Sequence, residues 1–336
     1  MVLSVVATGF IGFGLWVHHM FATGLPQIGE AYFTAASMMI AITSGVQIFC
    51  WIATLWTGGL RMRTSLHFVF GFIAIFVLGG LTGLVLASVP LDLQVHDTYF
   101  VVAHFHYVLI GGALFPLFGA FYHWFPKMTG RLMDEKVGKL NFWLLFIGFN
   151  LTFFPMHILG LKGMTRRIYT YAPEMGWAPA NMVATIGACI IALGGVVFLI
   201  NVLISRKRGQ IAGDDPWDGD TLEWAAASPP KNYNFEYLPV ALSRSPMWVP
   251  REERTVVTGL RNDRREVLVT TLMDAEPHHR LVLPRPSIWP FLAGISVSVG
   301  FAGSVFNAWY ITWGSIATGV ALIGWFWPKR PVELEP

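Results

Sequence analysis

The sequence predicts an all-α membrane protein, a polytopic bundle of about eight transmembrane helices. Three observations carry that expectation. Only 13% of the 336 residues are charged while 54% are hydrophobic, whereas a soluble domain carries roughly a quarter charged residues. The mean hydropathy is +0.54. The apolar residues fall in long blocks, and about 20 consecutive apolar residues suffice for a helix to cross a bilayer.

The expected spans are 2–21, 31–56, 65–88, 97–124, 140–162, 179–205, 287–306 and 308–327. The first lacks the basic leader and small-residue cleavage site of a signal peptide, so it reads as a membrane helix. It opens abruptly, as expected of a fragment or of one half of a split protein. The last two spans are joined by almost nothing and form a helical hairpin. Basic residues give the orientation. Arg61 and Arg63, then Lys127, Arg131, Lys136 and Lys139, then Arg206, Lys207 and Arg208, and finally Lys329 and Arg330 all fall on one side if the spans alternate. The positive-inside rule makes that side cytoplasmic. Lys162, Arg166 and Arg167 break the pattern on the outer side.

Residues 206–286 form a polar segment with no catalytic motif, read as a lid or docking surface. Within it "REVLVTTL" reads as a strand. The organisation is therefore 1–205, 206–286 and 287–336. Cys50 and Cys189 lie in apolar blocks and read as small buried residues. A net charge of +3 gives no ground for a nucleic-acid partner.

The stretch "VHDTYFVVAHFHYVL" carries the chemistry. Ionisable groups near a bilayer centre cost about 2.5–3.5 kcal/mol on insertion scales, so those present need a partner. His104 and His106 are two positions apart, about 200° around a helix. They cannot share one ion, but one helix can ligate two cofactors on its two sides. Histidine is a common axial ligand of haem iron, and Phe105 would lie between the two sites. His18 and His19 are adjacent, about 100° apart, and both can lean toward one metal; imidazole suits copper, zinc and iron. His96 and Asp97 can hold a divalent cation, or Asp97 can cap the helix start. Arg166 and Arg167 can bind carboxylates or form a hydrated surface pair. His67, His123 and His157 read as interfacial or structural, and His278 with His279 as solvated.

The strings "GLWVHHMFATG", "HDTYFVVAHFHYVL", "HWFPKMTGR", "NLTFFPMHILGLKGMTRRI" and "TLEWAAASPPKNYNF" together resemble the second half of subunit I of haem-copper cytochrome c oxidases, over about residues 2–240. The rest resembles an extension of some bacterial members. The resemblance implies the last six helices of the core plus a two-helix hairpin. It implies His104 as proximal ligand of the high-spin haem, His106 as an axial ligand of the low-spin haem, and His18 and His19 as two of three copper ligands. It further implies that His96 and Asp97 hold magnesium with a carboxylate of subunit II, and that Arg166 and Arg167 pair with propionates. The cofactors would be two haems, of type a, with copper and magnesium. The partners would be subunits II and III, cytochrome c as donor, O2, the lipid bilayer, and a chain supplying the missing half. The place would be the bacterial inner membrane, with the long tail cytoplasmic.

Two departures from the family pattern matter. The other low-spin haem ligand, the third copper histidine with its linked tyrosine, and one proton channel lie in the half that would precede residue 1. Gln47 stands where the family has a lysine in a proton pathway; Gln binds water but carries no charge, while Thr43 and Ser44 can still hold a water chain. The expected activity is reduction of O2 to water with proton translocation. The alternatives are a quinol oxidase or nitric oxide reductase relative, a non-catalytic dihaem electron carrier, an inactive fragment, and a transporter with a histidine relay.

Overall fold

The computed structural model describes residues 1–231, 237–239, 241, 243–249, 256–259, 266–274, 276–283 and 286–327. Lys329 and Arg330 lie outside the described residues, as does most of the charged stretch before Glu266. The chain divides into two compact units, one of residues 1–235 with 241–254, the other of 236–240 with 255–336.

The first unit is helical. Its elements are α1 (Val2–Leu15), a 3-10 turn Trp16–Thr23, α2 (Gln27–Thr57), α3 (Thr64–Ala87), α4 (Val89–Val95), α5 (Tyr99–Leu109), a π turn Ile110–Leu114, α6 (Phe115–Thr129), α7 (Glu135–Leu161) and α8 (Ala178–Arg208). Six spans, built from these helices, are long and apolar enough to cross a membrane among the described residues. The fourth of them, Tyr99–Thr129, runs from α5 through the π turn into α6.

Local sequence sets these limits. Asp134 caps α7 by accepting from the Val137 N–H at 2.9 Å. Glu135 accepts from both the backbone N–H and the hydroxyl of Thr64 at 2.8 Å, tying the start of α7 to the start of α3. Gly130 ends α6 in the left-handed conformation, φ 74°. In the π turn, a Cβ at Gly111 would collide with Ile75 and one at Gly112 would meet Phe76, so the two glycines let this span lie flat on α3.

The core is aromatic. Phe68, Tyr107, Phe115, Phe142 and Phe149 are buried together, mostly in edge-to-face contacts. Small residues bring the helices together. A Cβ at Gly187 of α8 would lie 2.5 Å from the Thr152 nitrogen of α7. One at Gly160 would fall onto the backbone of Phe100, so α5 and α7 touch main chain to main chain.

The chain after α8 folds back on α6. Buried Lys127 donates to the carbonyls of Asp214 (2.9 Å) and Ala226 (2.6 Å) and lies over the Trp224 ring. Trp217 donates to the His123 carbonyl and stacks on the His123 ring. Lys127 is therefore a structural cation, not a free loop charge. His67 bonds its own helix at Arg63 and His157 is buried against Phe100 and Tyr107, both structural placements. Neither cysteine is buried: Cys50 is half-exposed and Cys189 faces outward, against the expectation of buried residues.

The second unit holds two antiparallel ribbons, β1 (Tyr237–Pro239) with β2 (Val256–Gly259) and β3 (Glu266–Thr270) with β4 (Pro277–Val282). The strand expected in "REVLVTTL" is β3. His278 and His279 are exposed on β4. The hairpin expected at the C-terminal end is α9 (Trp289–Ser304) and α10 (Trp309–Phe326), packed at Gly300 against Gly314. These helices have 16 and 18 residues, shorter than the six spans of the first unit.

Candidate functional site

A cavity of about 960 Å³ lies between the 3-10 turn, α2, α3, α4 and α5. Its wall is mostly apolar. The polar side chains on it are few: His18, His19, Ser37, Ser44, Asp92, His96, Asp97, His104 and Arg166. A mostly apolar cavity with a few convergent polar groups is the usual form of a cofactor site.

His18 and His19 enter from one side. The 3-10 turn spaces neighbouring residues by about 120°, and the two rings converge rather than diverge. Their centroids are 4.1 Å apart and their Nε2 atoms 3.0 Å apart. Ser37 of α2, 3% exposed, holds His18 through Nδ1 at 3.1 Å. The two Nε2 atoms thus stand where one ion can take both.

His104 enters from α5. Its Nδ1 lies 3.0 Å from the Gly79 carbonyl and 3.1 Å from the Thr82 hydroxyl, both on α3. A carbonyl only accepts, so Nδ1 carries the proton and Nε2 keeps its lone pair, the arrangement of a metal-ligating histidine. His106 turns the other way. Its Nδ1–H donates to the Val102 carbonyl at 2.7 Å, and its ring stacks on Phe153 of α7 at 4.2 Å. It does not line the cavity. The two histidines occupy opposite faces of α5, as their spacing predicts, and each has its Nδ1 engaged.

At the mouth the pairing differs from the expectation. His96 Nδ1 lies 3.1 Å from the carboxylate of Asp92, one turn earlier on α4. Asp97 does not cap α5; Thr98 does, accepting from the Phe100 N–H at 3.2 Å. Asp97 sits in the left-handed region, φ 53°, and forms an ion pair with Arg166, whose N–H donates to the Asp97 carbonyl at 2.9 Å. Arg166 lines the cavity, while Arg167 is exposed and does not. Asp92 escaped the sequence reading although "DLQVH" spaces it one helical turn before His96. It is 4% exposed, and burial raises its carboxyl above the ordinary range, with His96 pulling the other way. Thr82 and Ser37 were missed too, because their roles depend on contacts between helices.

Ser44 lines the cavity, but Thr43 bonds back to its own helix at Ile40 and Gln47 faces α1, donating to the Thr8 hydroxyl at 2.7 Å. Among the described residues no group of three or more His, Cys, Asp or Glu is arranged to hold a metal alone. His18 and His19 supply two nitrogen donors, and His104 a third nitrogen on the same cavity. This donor set fits a copper ion and a haem iron better than it fits an oxygen-rich cation. The His96 and Asp97 pair is already engaged by Asp92 and Arg166.

Residues 1–190 match the family described as Cytochrome C and Quinol oxidase polypeptide I. Cytochrome c oxidase subunit 1 of Bacillus sp. (strain PS3) is 43% identical over 308 residues, 91% of this chain and 48% of the relative. The subunit 1 of Thermostichus vulcanus is 49% identical over 263 residues, 78% of this chain and 47% of the relative. The chain spans about half the length of the curated relatives it matches. A haem-copper terminal oxidase dimer solved by cryo-EM shares the fold, with a TM-score of 0.50 at 19% identity over 59% of this chain and 40% of its own. With more than half of its length under the family match, the chain belongs to the cytochrome c and quinol oxidase polypeptide I family.

Proposed function

We propose that this chain supplies half of the reaction chamber of a terminal oxidase that reduces O2 to water with electrons from cytochrome c, coupled to proton translocation. One observation carries the reading: His104 shares a cavity with His18 and His19, while His106 occupies the opposite face of the same helix. His104 would hold the high-spin haem and His106 the low-spin haem through their free Nε2 atoms. His18 and His19 would hold copper. When bound, these groups supply electron transfer and the binding of oxygen.

The protein's own residues do the rest. Gly79, Thr82 and Val102 fix the tautomers of the two α5 histidines, and Ser37 fixes His18. The apolar wall excludes bulk water. Arg166, held by Asp97, offers a cation to carboxylates at the outer mouth; Arg167 would join it there. His96 and Asp97 would hold magnesium once a carboxylate of subunit II joins them. Ser44 gives protons a hydroxyl on the cavity wall; the other two candidates on α2 are turned elsewhere, Thr43 to the Ile40 carbonyl and Gln47 to Thr8, and would join a path only through water. The remaining ligands would come from a companion chain, in a complex with subunits II and III in the bacterial inner membrane, with the long tail cytoplasmic. The haems would be of type a. A quinol donor is the alternative, because the family includes both.

The test is oxygen consumption by the complex isolated through this chain, with reduced cytochrome c and then a reduced quinol as donor. The expected result is consumption with cytochrome c that disappears, together with the high-spin haem, in His104→Ala. Activity kept by that variant contradicts the assignment.

A further inference from the structure

Thr82 sits on α3 nearly one turn after Gly79, against the ring of His104. Its hydroxyl donates to the Gly79 carbonyl at 2.9 Å, the back-bond common for Thr in helices. The same oxygen is 3.1 Å from His104 Nδ1, and Nδ1 is 3.0 Å from the Gly79 oxygen. The three atoms close a triangle.

One proton assignment satisfies every side of it. The hydroxyl gives its hydrogen to Gly79, and Nδ1–H is shared between the Gly79 oxygen and a lone pair of the Thr82 oxygen. In the other tautomer Nδ1 would face the Gly79 oxygen lone pair to lone pair, and the hydroxyl would have to leave Gly79. Gly83 makes the approach possible: a Cβ there would lie 2.9 Å from His104 Cε1. The close fit of the ring against α3 therefore puts a second acceptor, not just one, on its proton.

We propose that Thr82 is a positioning residue that sets the tautomer and basicity of His104, and through them the strength of the iron–imidazole bond. The proposal rests on the reading of His104 as an axial haem ligand. Two acceptors on Nδ1–H push the ring toward imidazolate and make Nε2 a stronger donor, as hydrogen bonds to a ligating histidine do at metal sites. Thr82→Val keeps the shape and removes one acceptor. Thr82→Ser keeps the hydroxyl.

The experiment is resonance Raman spectroscopy and a redox titration of the reduced complex carrying this chain, as wild type, Thr82→Val, Thr82→Ser and His104→Ala. The iron–histidine stretch should move to lower frequency and the high-spin haem potential should rise in Thr82→Val, while Thr82→Ser stays at the wild-type values. An unchanged stretch and potential in Thr82→Val overturns the proposal, as does an equal shift in Thr82→Ser. Loss of haem from the valine variant assigns Thr82 to assembly instead and overturns it too. A wild-type stretch that survives His104→Ala overturns the axial-ligand reading, and the proposal with it.

Discussion

α7 and α2 are both long apolar spans, of 27 and 31 residues, yet they are built for different surroundings. α7 buries ten residues against α3, α5 and α8. α2 buries Ser37 alone, the residue that holds His18. The α5–α8 side closes on itself through aromatic packing and helix contacts at Gly148, Gly160 and Gly187. On the other side α2 and the 3-10 turn form a wall of the cavity. His18, His19, Ser37 and Ser44 face that cavity, and the packing of this side within the chain is thin. One half of the unit is specified by its own core; the other buries little within this chain.

The histidines test that contrast most strongly. His104→Ala should remove the high-spin haem entirely while leaving the helical far-UV circular dichroism of the complex intact. His18→Ala or His19→Ala should remove copper, measured by metal analysis, and keep both haem bands, because those residues sit on the thin wall. Loss of all three cofactors from a His18 variant would show the wall to be structural after all.

Packing comes next. Phe149→Ala, at a site 1% exposed, should cost about 3–5 kcal/mol, the usual range for deleting a buried phenylalanine ring. Ile42→Ala, at 68% exposure on α2, should stay within about 0.5 kcal/mol, as surface changes do. Thermal unfolding of the two variants in one detergent measures the difference. Equal losses would break the contrast between the helices.

Two smaller effects concern polar groups near the cavity. Gln47 is tied to Thr8 between α1 and α2, so Gln47→Lys should leave turnover unimpaired; a drop would give the amide itself a part in proton delivery. Asp92 lies outside the spans, and burial raises its carboxyl. Its folded form then favours the proton, so its stabilising contribution is fully present below the ordinary carboxylate range and fades as pH rises through the raised value. Asp92→Asn should flatten that part of the pH–stability curve.

Much of this was legible in the sequence because the bilayer imposes long apolar blocks, and because a two-residue spacing forces His104 and His106 to opposite faces. The convergence of His18 and His19 was legible as well, although a 3-10 turn and not an α-helix end produces it. The partners were not. Thr82, Gly79 and Ser37 carry no sequence signature; they matter because α3 passes close to His104 and α2 close to His18. Of the two roles open to Asp97, cation ligand or helix cap, the cap falls to the neighbouring Thr98, because the backbone at Asp97 turns left-handed to meet Arg166. α9 and α10 are shorter than the expected spans because the connecting turn takes Val305, Phe306 and Ala308 out of the helices and the outer ends lose Ser287, Ile288 and Trp327.

The central claim is that one helix, α5, presents His104 and His106 to two different haems, with His104 facing the copper-binding pair. The most direct measurement is a reduced-plus-CO minus reduced spectrum of the complex isolated from native membranes through a tag on this chain. A CO-shifted Soret band beside an unshifted low-spin band is the predicted result, with the first lost in His104→Ala and the second lost in His106→Ala. Haem bands with no response to CO, or the absence of haem, would contradict the claim.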